Sequence, residues 1–135
     1  MLRYMLDTNI LIYTIKNKPD AVRQRFEQHH GEMCTSAVTA MELLYGAHKS
    51  QAMRRNLDAV EGLLARLDLL DFDINAAEHA GEIRATWARL GTPIGPYDTM
   101  IAGHARSRGL SLVTNNMSEF ERVSGLRLEN WAAPQ

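Results

Sequence analysis

The chain carries a single cysteine, Cys34. That excludes an internal disulfide framework and suits a reducing cytoplasm. A lone cysteine of this kind ordinarily serves as a small hydrophobe in a buried strand. No apolar stretch approaches the roughly 18 residues needed to cross a bilayer. The start, Met1-Leu2-Arg3-Tyr4, lacks a signal-peptide layout because its apolar segment runs straight into Asp7. The expectation is a cytoplasmic protein with no membrane association. No glycine cluster follows a strand as a phosphate loop requires. The five histidines, at 29, 30, 48, 79 and 104, show no metal-binding spacing, and His29-His30 read as a frayed helix end. Cys34 has no evident histidine partner, so no covalent nucleophile stands out. Net charge is −1, which excludes a global basic field for nucleic acid. Lysine is scarce: of fifteen basic residues only three are Lys and twelve are Arg. Arginine forks match phosphate and carboxylate bidentately.

What remains is a chain of 135 residues, 45% apolar and 23% charged. That is enough for one folded domain spanning residues 1–135. Strands and helices alternate. Arg3–Asp7 reads as a buried first strand, followed by helices over Ile10–Lys16 and, after the Pro19 break, Asp20–His29. Glu32–Ser36 reads as a strand, then helices over Ala37–His48 and Gln51–Leu67, the second with Leu57, Val60, Leu63, Leu64 and Leu67 at helical spacing. A strand at Leu69–Phe72 precedes a helix from about Asn75 to Leu90, ended by Gly91 and Pro93. A stiff loop, Gly91–Pro96, aims the helix Asp98–Arg108, which stops at Gly109. Leu110–Thr114 reads as a strand, Met117–Glu121 as a helical turn and Leu126–Leu128 as a last strand. This alternation predicts a parallel sheet covered by helices on both faces.

Ligands of open parallel sheets bind beyond the carboxyl ends of the strands. Three acids stand where such a site would be, and each has an ordinary structural role to set against a chemical one. Asp7 ends the first strand and could simply cap the next helix. Thr8 and Asn9, also capping types, stand beside it. Glu42 interrupts the apolar Ala37–Tyr45 segment, where a charge needs a partner. Thr39 and Glu42 fit a capping box, although Ser36 looks the better cap and would leave Glu42 free to point at the strand ends. Asp98 follows Gly95-Pro96-Tyr97 at a helix N-terminus, where the macrodipole favours it. A softer fourth group is Thr114 and Asn116 after the fourth strand, with Glu119 one helical turn on. Its dull explanation is a polar turn with Asn as cap. Carboxylates from distant segments that could meet at one point suggest a hard divalent cation and phosphate chemistry.

Taken together these residues resemble a PIN-domain ribonuclease, and within that family the VapC toxins of type II toxin–antitoxin modules. The resemblance covers nearly the whole chain. It is carried by Leu6-Asp7-Thr8-Asn9, by Ser36 with Met41-Glu42-Leu43-Leu44-Tyr45-Gly46, by Gly95-Pro96-Tyr97-Asp98-Thr99-Met100-Ile101-Ala102, and by Val113-Thr114-Asn115-Asn116 with Glu119-Phe120. The resemblance implies a three-layer α/β/α sandwich with a central parallel sheet of four to five strands. It implies a Mg²⁺- or Mn²⁺-dependent endoribonuclease acting on tRNA, with the anticodon region of initiator tRNA as the leading expectation. It further implies inhibition by a VapB antitoxin, contact with DNA only through that antitoxin, and a homodimer. Asp7, Glu42 and Asp98 match the family acids. Asp7 and Asp98 would hold a metal ion, and Glu42 would ligate a second ion or act as base. Asn116 stands where many PIN domains carry Asp, and Glu119 is placed to substitute. Thr8, Asn9, Ser36 and Thr114 are positioned to orient the carboxylates.

Two alternatives come from other classes. A receiver-like phosphoacceptor module shares the architecture, but it wants an acid beside Asp7 and a late lysine, and the last lysine here is Lys49. A PIN-like domain that only docks partners would not need three intact acids, although Asn116 fits it.

Overall fold

The computed structural model describes residues 1–132. Five short strands, β1 (Tyr4–Leu6), β2 (Met33–Ser36), β3 (Asp68–Leu70), β4 (Ser111–Val113) and β5 (Leu128–Glu129), form one sheet. Their order is β3-β2-β1-β4-β5 and every pairing is parallel. Met5 of β1 is in register with Cys34 on one side and Leu112 on the other.

Among the described residues seven helices connect the strands: α1 (Thr8–Lys16), α2 (Asp20–Gln28), α3 (Ala37–His48), α4 (Met53–Leu64), α5 (Ile74–Arg89), α6 (Pro96–Ser107) and α7 (Met117–Phe120). The pleat sorts the strand side chains into two cores. Tyr4, Leu6 and Val113 pack with Ile10, Leu11, Phe26, Leu43, Leu57 and Val60 from α1 to α4. Met5, Cys34 and Leu112 pack with Ile83, Ile101, Ala102, Ala105 and Phe120 from α5, α6 and α7. A sheet apolar on both faces must be covered on both, which gives the three layers expected.

The chain leaves central β1 toward β2 and β3, then returns to β4 on its other side. The crevice therefore opens at the carboxyl ends of β1 and β4, where the strand order reverses. Asp7 follows β1 and Thr114 follows β4, so both emerge at this crevice.

Some boundaries differ from the sequence reading for local reasons. Asp7 caps α1, so that helix starts at Thr8 and not Ile10. Pro96 occupies the first turn of α6, where its missing N–H costs nothing, so the helix starts at Pro96 and Asp98 is its third residue rather than its first. α4 is shorter than Gln51–Leu67, and β3 and β5 are displaced by one or two residues. His29 is not frayed. Its ring stacks on Trp131 at 5.2 Å and lies 3.0 Å from the Glu32 carboxylate. Cys34 is buried in β2, as expected, and burial pushes its thiol up to about 12. Among the described residues no helix is long and apolar enough to cross a membrane.

α5 and α6 meet at close quarters where Gly103 lies directly on the Ala80 backbone. This contact sets the distance of α6, and with it Asp98, from the rest of the layer.

Candidate active site

Asp7 is held by both neighbours of the crevice. Its N–H donates to the Val113 carbonyl at 3.0 Å, extending the β1–β4 ladder. Its Oδ1 accepts from the Ile10 N–H at 3.0 Å, so the capping role is real. The carboxyl is nonetheless buried, and burial is the main cause of its pKa rising to about 6. Glu42 raises it further, while the Thr114 hydroxyl and the Ile10 and Asn9 N–H groups favour the charged form. A cap alone would not need a desolvated carboxylate.

Glu42 projects from the second turn of α3. Its Oε1 accepts from the Thr8 hydroxyl at 2.7 Å. Ser36 is the N-cap of α3, accepting from Val38 N–H at 3.1 Å, so Glu42 is not the acid of a capping box. The Ser36 hydroxyl also lies 2.8 Å from His104 Nδ1. Ser36 is thus occupied by the cap and by α6. Asn9 is exposed, and what it offers Asp7 is its backbone N–H, not its side chain.

Asp98, in the first turn of α6, is half-buried and makes no side-chain cap. Its pKa rises to about 7, first through burial, then through the charge and hydrogen-bonding proximity of Glu119, with Asp7 and Glu42 adding repulsion. A cation placed beside Asp98 would offset this repulsion. Glu119 comes from α7. Its Oε2 accepts from the Asn116 side-chain amide at 3.0 Å, and its Oε1 is buried without a partner. The Asn116 backbone N–H donates to the Thr114 hydroxyl at 2.9 Å. Asn116 occupies the N-cap position of α7 but spends its amide on Glu119 instead of capping.

The structure thus brings Asp7, Glu42, Asp98 and Glu119 to one crevice, with Thr8, Thr114 and Asn116 against them. No three of the described acidic, histidine or cysteine side chains close around a single point. The group still fits a divalent cation on two observations: an orphaned, buried Glu119 oxygen and two acids, Asp7 and Asp98, raised first by burial and then by the charges of neighbouring carboxylates. Hard oxygen donors are what Mg²⁺ and Mn²⁺ take. Among the five histidines, His104 is not singled out by the sequence, which shows no metal-binding spacing. The apolar Ile101–Ala105 run around it is a signal that it is buried, but not that it meets Ser36.

The raised acids predict a pH dependence. Between about pH 4 and 7 the folded, metal-free protein holds more protons at Asp7 and Asp98 than the unfolded chain does. Stability therefore falls as pH rises through that window. His104, lowered mainly by burial, works in the opposite direction. Two acids are raised against this one lowered imidazole, and the expected net slope follows the acids. A thermal melt with chelator is expected to give a higher melting temperature at pH 5 than at pH 8. The reverse order would mean that the acids are not packed together as described.

A model of the PIN domain matches residues 4–126. The chain is 63% identical to the tRNA(fMet)-specific endonuclease VapC of Shigella flexneri, over 98% of this chain and 100% of that protein. It is 60% identical to the protein of the same name from Salmonella typhimurium, over 97% and 99% of the two chains. The fold superimposes on a chain of the DNA-bound VapBC crystal structure from Salmonella typhimurium with a TM-score of 0.93, covering 97% of this chain and 99% of that one at 60% identity. VapBC2 from Rickettsia felis, bound to a promoter DNA fragment, gives 0.90 at 36% identity, covering 96% and 99%.

Proposed function

Because the chain belongs to the PIN-domain family, and within it to the VapC ribonucleases, we propose that it is the toxin of a type II toxin–antitoxin pair that cuts initiator tRNA in its anticodon region. The supporting observation is the acid crevice at the strand-order reversal, combined with identity above 60% to an endonuclease with that tRNA in its name. A VapB-type antitoxin is the proposed partner, and DNA is reached only through it. An apolar groove of about 300 Å³ lined by Ile12, Ile15, Leu43, Ala47 and Val60 runs up to Glu42, and supports a protein segment that blocks the site.

Asp7 and Asp98 are the proposed ligands of a divalent cation, Mg²⁺ or Mn²⁺, which when bound supplies charge neutralisation and polarisation at the scissile phosphate. Thr114 and the N–H groups at the start of α1 keep Asp7 aimed into the crevice in its charged form. Thr8 holds one oxygen of Glu42, leaving the other to take a proton from the attacking water. Asn116 holds one oxygen of Glu119 beside Asp98 and leaves the other free. No residue forms a covalent intermediate, and the raised Cys34 thiol is no competitor. A receiver-like role is not favoured, since Asp7 has no acidic neighbour. Cleavage of bulk tRNA in Mg²⁺ or Mn²⁺ that stops on adding EDTA is the expected result. Cleavage that ignores EDTA would overturn the metal role, and no cleavage with either ion would overturn the toxin reading.

Glu42→Gln separates chemistry from structure. Gln keeps an oxygen for the Thr8 hydroxyl, so the melting temperature is expected to hold or rise as repulsion with Asp7 and Asp98 is relieved. Loss of a positioned base is expected to slow tRNA cleavage by roughly 10² to 10⁴. A fully active variant would leave Glu42 with a structural role only.

Asn116→Asp removes the amide that satisfies Glu119 and adds a charge beside it. The metal-free variant is expected to melt lower than the native chain and to gain more on Mn²⁺ binding. Saturating ion at a hundredfold excess over its Kd stabilises a fold by about 2.7 kcal/mol. Calorimetric titration of both proteins checks the comparison. Equal affinities would show that Glu119 already completes the site.

A further inference from the structure

We infer that the cleft beside Glu42 binds an unpaired nucleobase of the RNA, sandwiched by Tyr45 and Tyr97, with Lys49 on the adjoining phosphate; this rests on the ribonuclease reading above. Met41 and Tyr45 of α3 and Lys49, its C-cap, recur every four residues along one ridge. Tyr97 faces them from the first turn of α6, and the two helices enclose a cleft of about 450 Å³. The cleft also reaches Thr8 and Glu42, so it is continuous with the acid crevice. Its floor includes Gly46, where a Cβ would meet nothing within 4 Å.

The exposure is what needs explaining. Tyr45 is 60% exposed, Tyr97 47% and Met41 41%, in a chain with few aromatics. Large apolar side chains gathered at one place mark an interaction site. A flat base with an attached phosphate matches it better than a protein surface does. Aromatic faces stack bases without demanding a sequence. The Lys49 ammonium lies 4.7 Å from the Tyr45 ring centroid, so cation and ring are presented together. A second copy of the chain seated here would have to cover the Glu42 carboxylate, which carries a desolvation cost. With a net charge of −1, RNA is not held by a general field and its grip must be local.

Steady-state cleavage of bulk tRNA in Mg²⁺ by the full chain tests this, with Tyr45→Ala, Tyr97→Ala, Tyr45→Phe and Lys49→Gln. Each alanine is expected to raise KM by about tenfold or more, with a smaller change in kcat. Tyr45→Phe is expected to restore KM to within about twofold of the native value, because stacking needs the ring and not the hydroxyl. Lys49→Gln is expected to lower the salt dependence of KM by about one counterion. All four are surface changes, so melting temperature and sedimentation mass should not move. Unchanged KM in both alanine variants would overturn the subsite while leaving the nuclease reading intact. A mass that halves with the alanines would also overturn it, since the face would then join two copies. A native chain that cleaves nothing would sink the reading and the subsite together.

Discussion

Asp7→Asn is expected to fold as well as the native chain and to cleave RNA at least about a hundredfold more slowly. The substitution is close to isosteric. The Asn side-chain oxygen can still accept from Ile10 N–H, so the α1 cap survives. What disappears is a carboxylate charge buried beneath the crevice and repelled by Glu42. Removing that charge relieves desolvation, so the metal-free melting temperature should hold or rise. Activity should fall because a neutral amide is a poor ligand for a hard cation. The native pH dependence of melting should also flatten in the variant, since one of its two raised acids is gone. Melts at pH 5 and pH 8, beside a tRNA cleavage assay, read all three effects. Cleavage at the native rate would reduce Asp7 to its cap.

Gly103→Ala should have the largest effect on stability, although it lies away from the crevice. A methyl group at this position would sit 2.5 Å from the Ala80 nitrogen and 2.6 Å from its Cα. Both are backbone atoms, so no rotamer change makes room. α5 and α6 must move apart, opening the core around Ile83, Ile101 and Ala102. Overpacking of this kind costs about 1–3 kcal/mol and more where backbone is involved. The better helix propensity of Ala offsets at most about 1 kcal/mol. The expected drop in melting temperature is roughly 10 °C. Cleavage should suffer too, because Asp98 rides on the displaced helix and misplacement of about 1 Å is costly in an active site. Gly81→Ala on α5 is the control. A Cβ there meets nothing within 4 Å, so the same exchange should be neutral or stabilising. Equal melting temperatures for the two variants would mean the helices are not in contact at Gly103.

The acids of the crevice stand out in the sequence because they break local rules. Asp7 ends an apolar strand, Glu42 interrupts an apolar helix and Asp98 follows a rigid Gly-Pro-Tyr turn. In each case the geometry decides whether the capping role is filled. Asp7 is a cap and also a buried acid. Glu42 is no capping acid, because Ser36 starts α3 and places it in the second turn. Asp98 gains from the macrodipole but makes no cap, and the group that matters most to it is Glu119.

By itself the sequence determined the alternation of strand and helix, the two apolar faces of the sheet and the identity of the acids. These follow from side-chain periodicity and from breakers such as Pro19 and Gly109, which act within a few residues. The family motifs extended that reach to function, since they carry spacing between segments that periodicity does not. Only the tertiary structure decided which side chains meet. Ser36 is 68 residues from His104, Thr8 is 34 from Glu42, and Gly103 lies against Ala80 of another helix. It also decided that Asp98 would face Glu119 and that Tyr45 would share a cleft with Tyr97. The physical reason is that such pairings depend on strand order and helix approach distance, which are set by the packing of the whole core and not by any local run of residues.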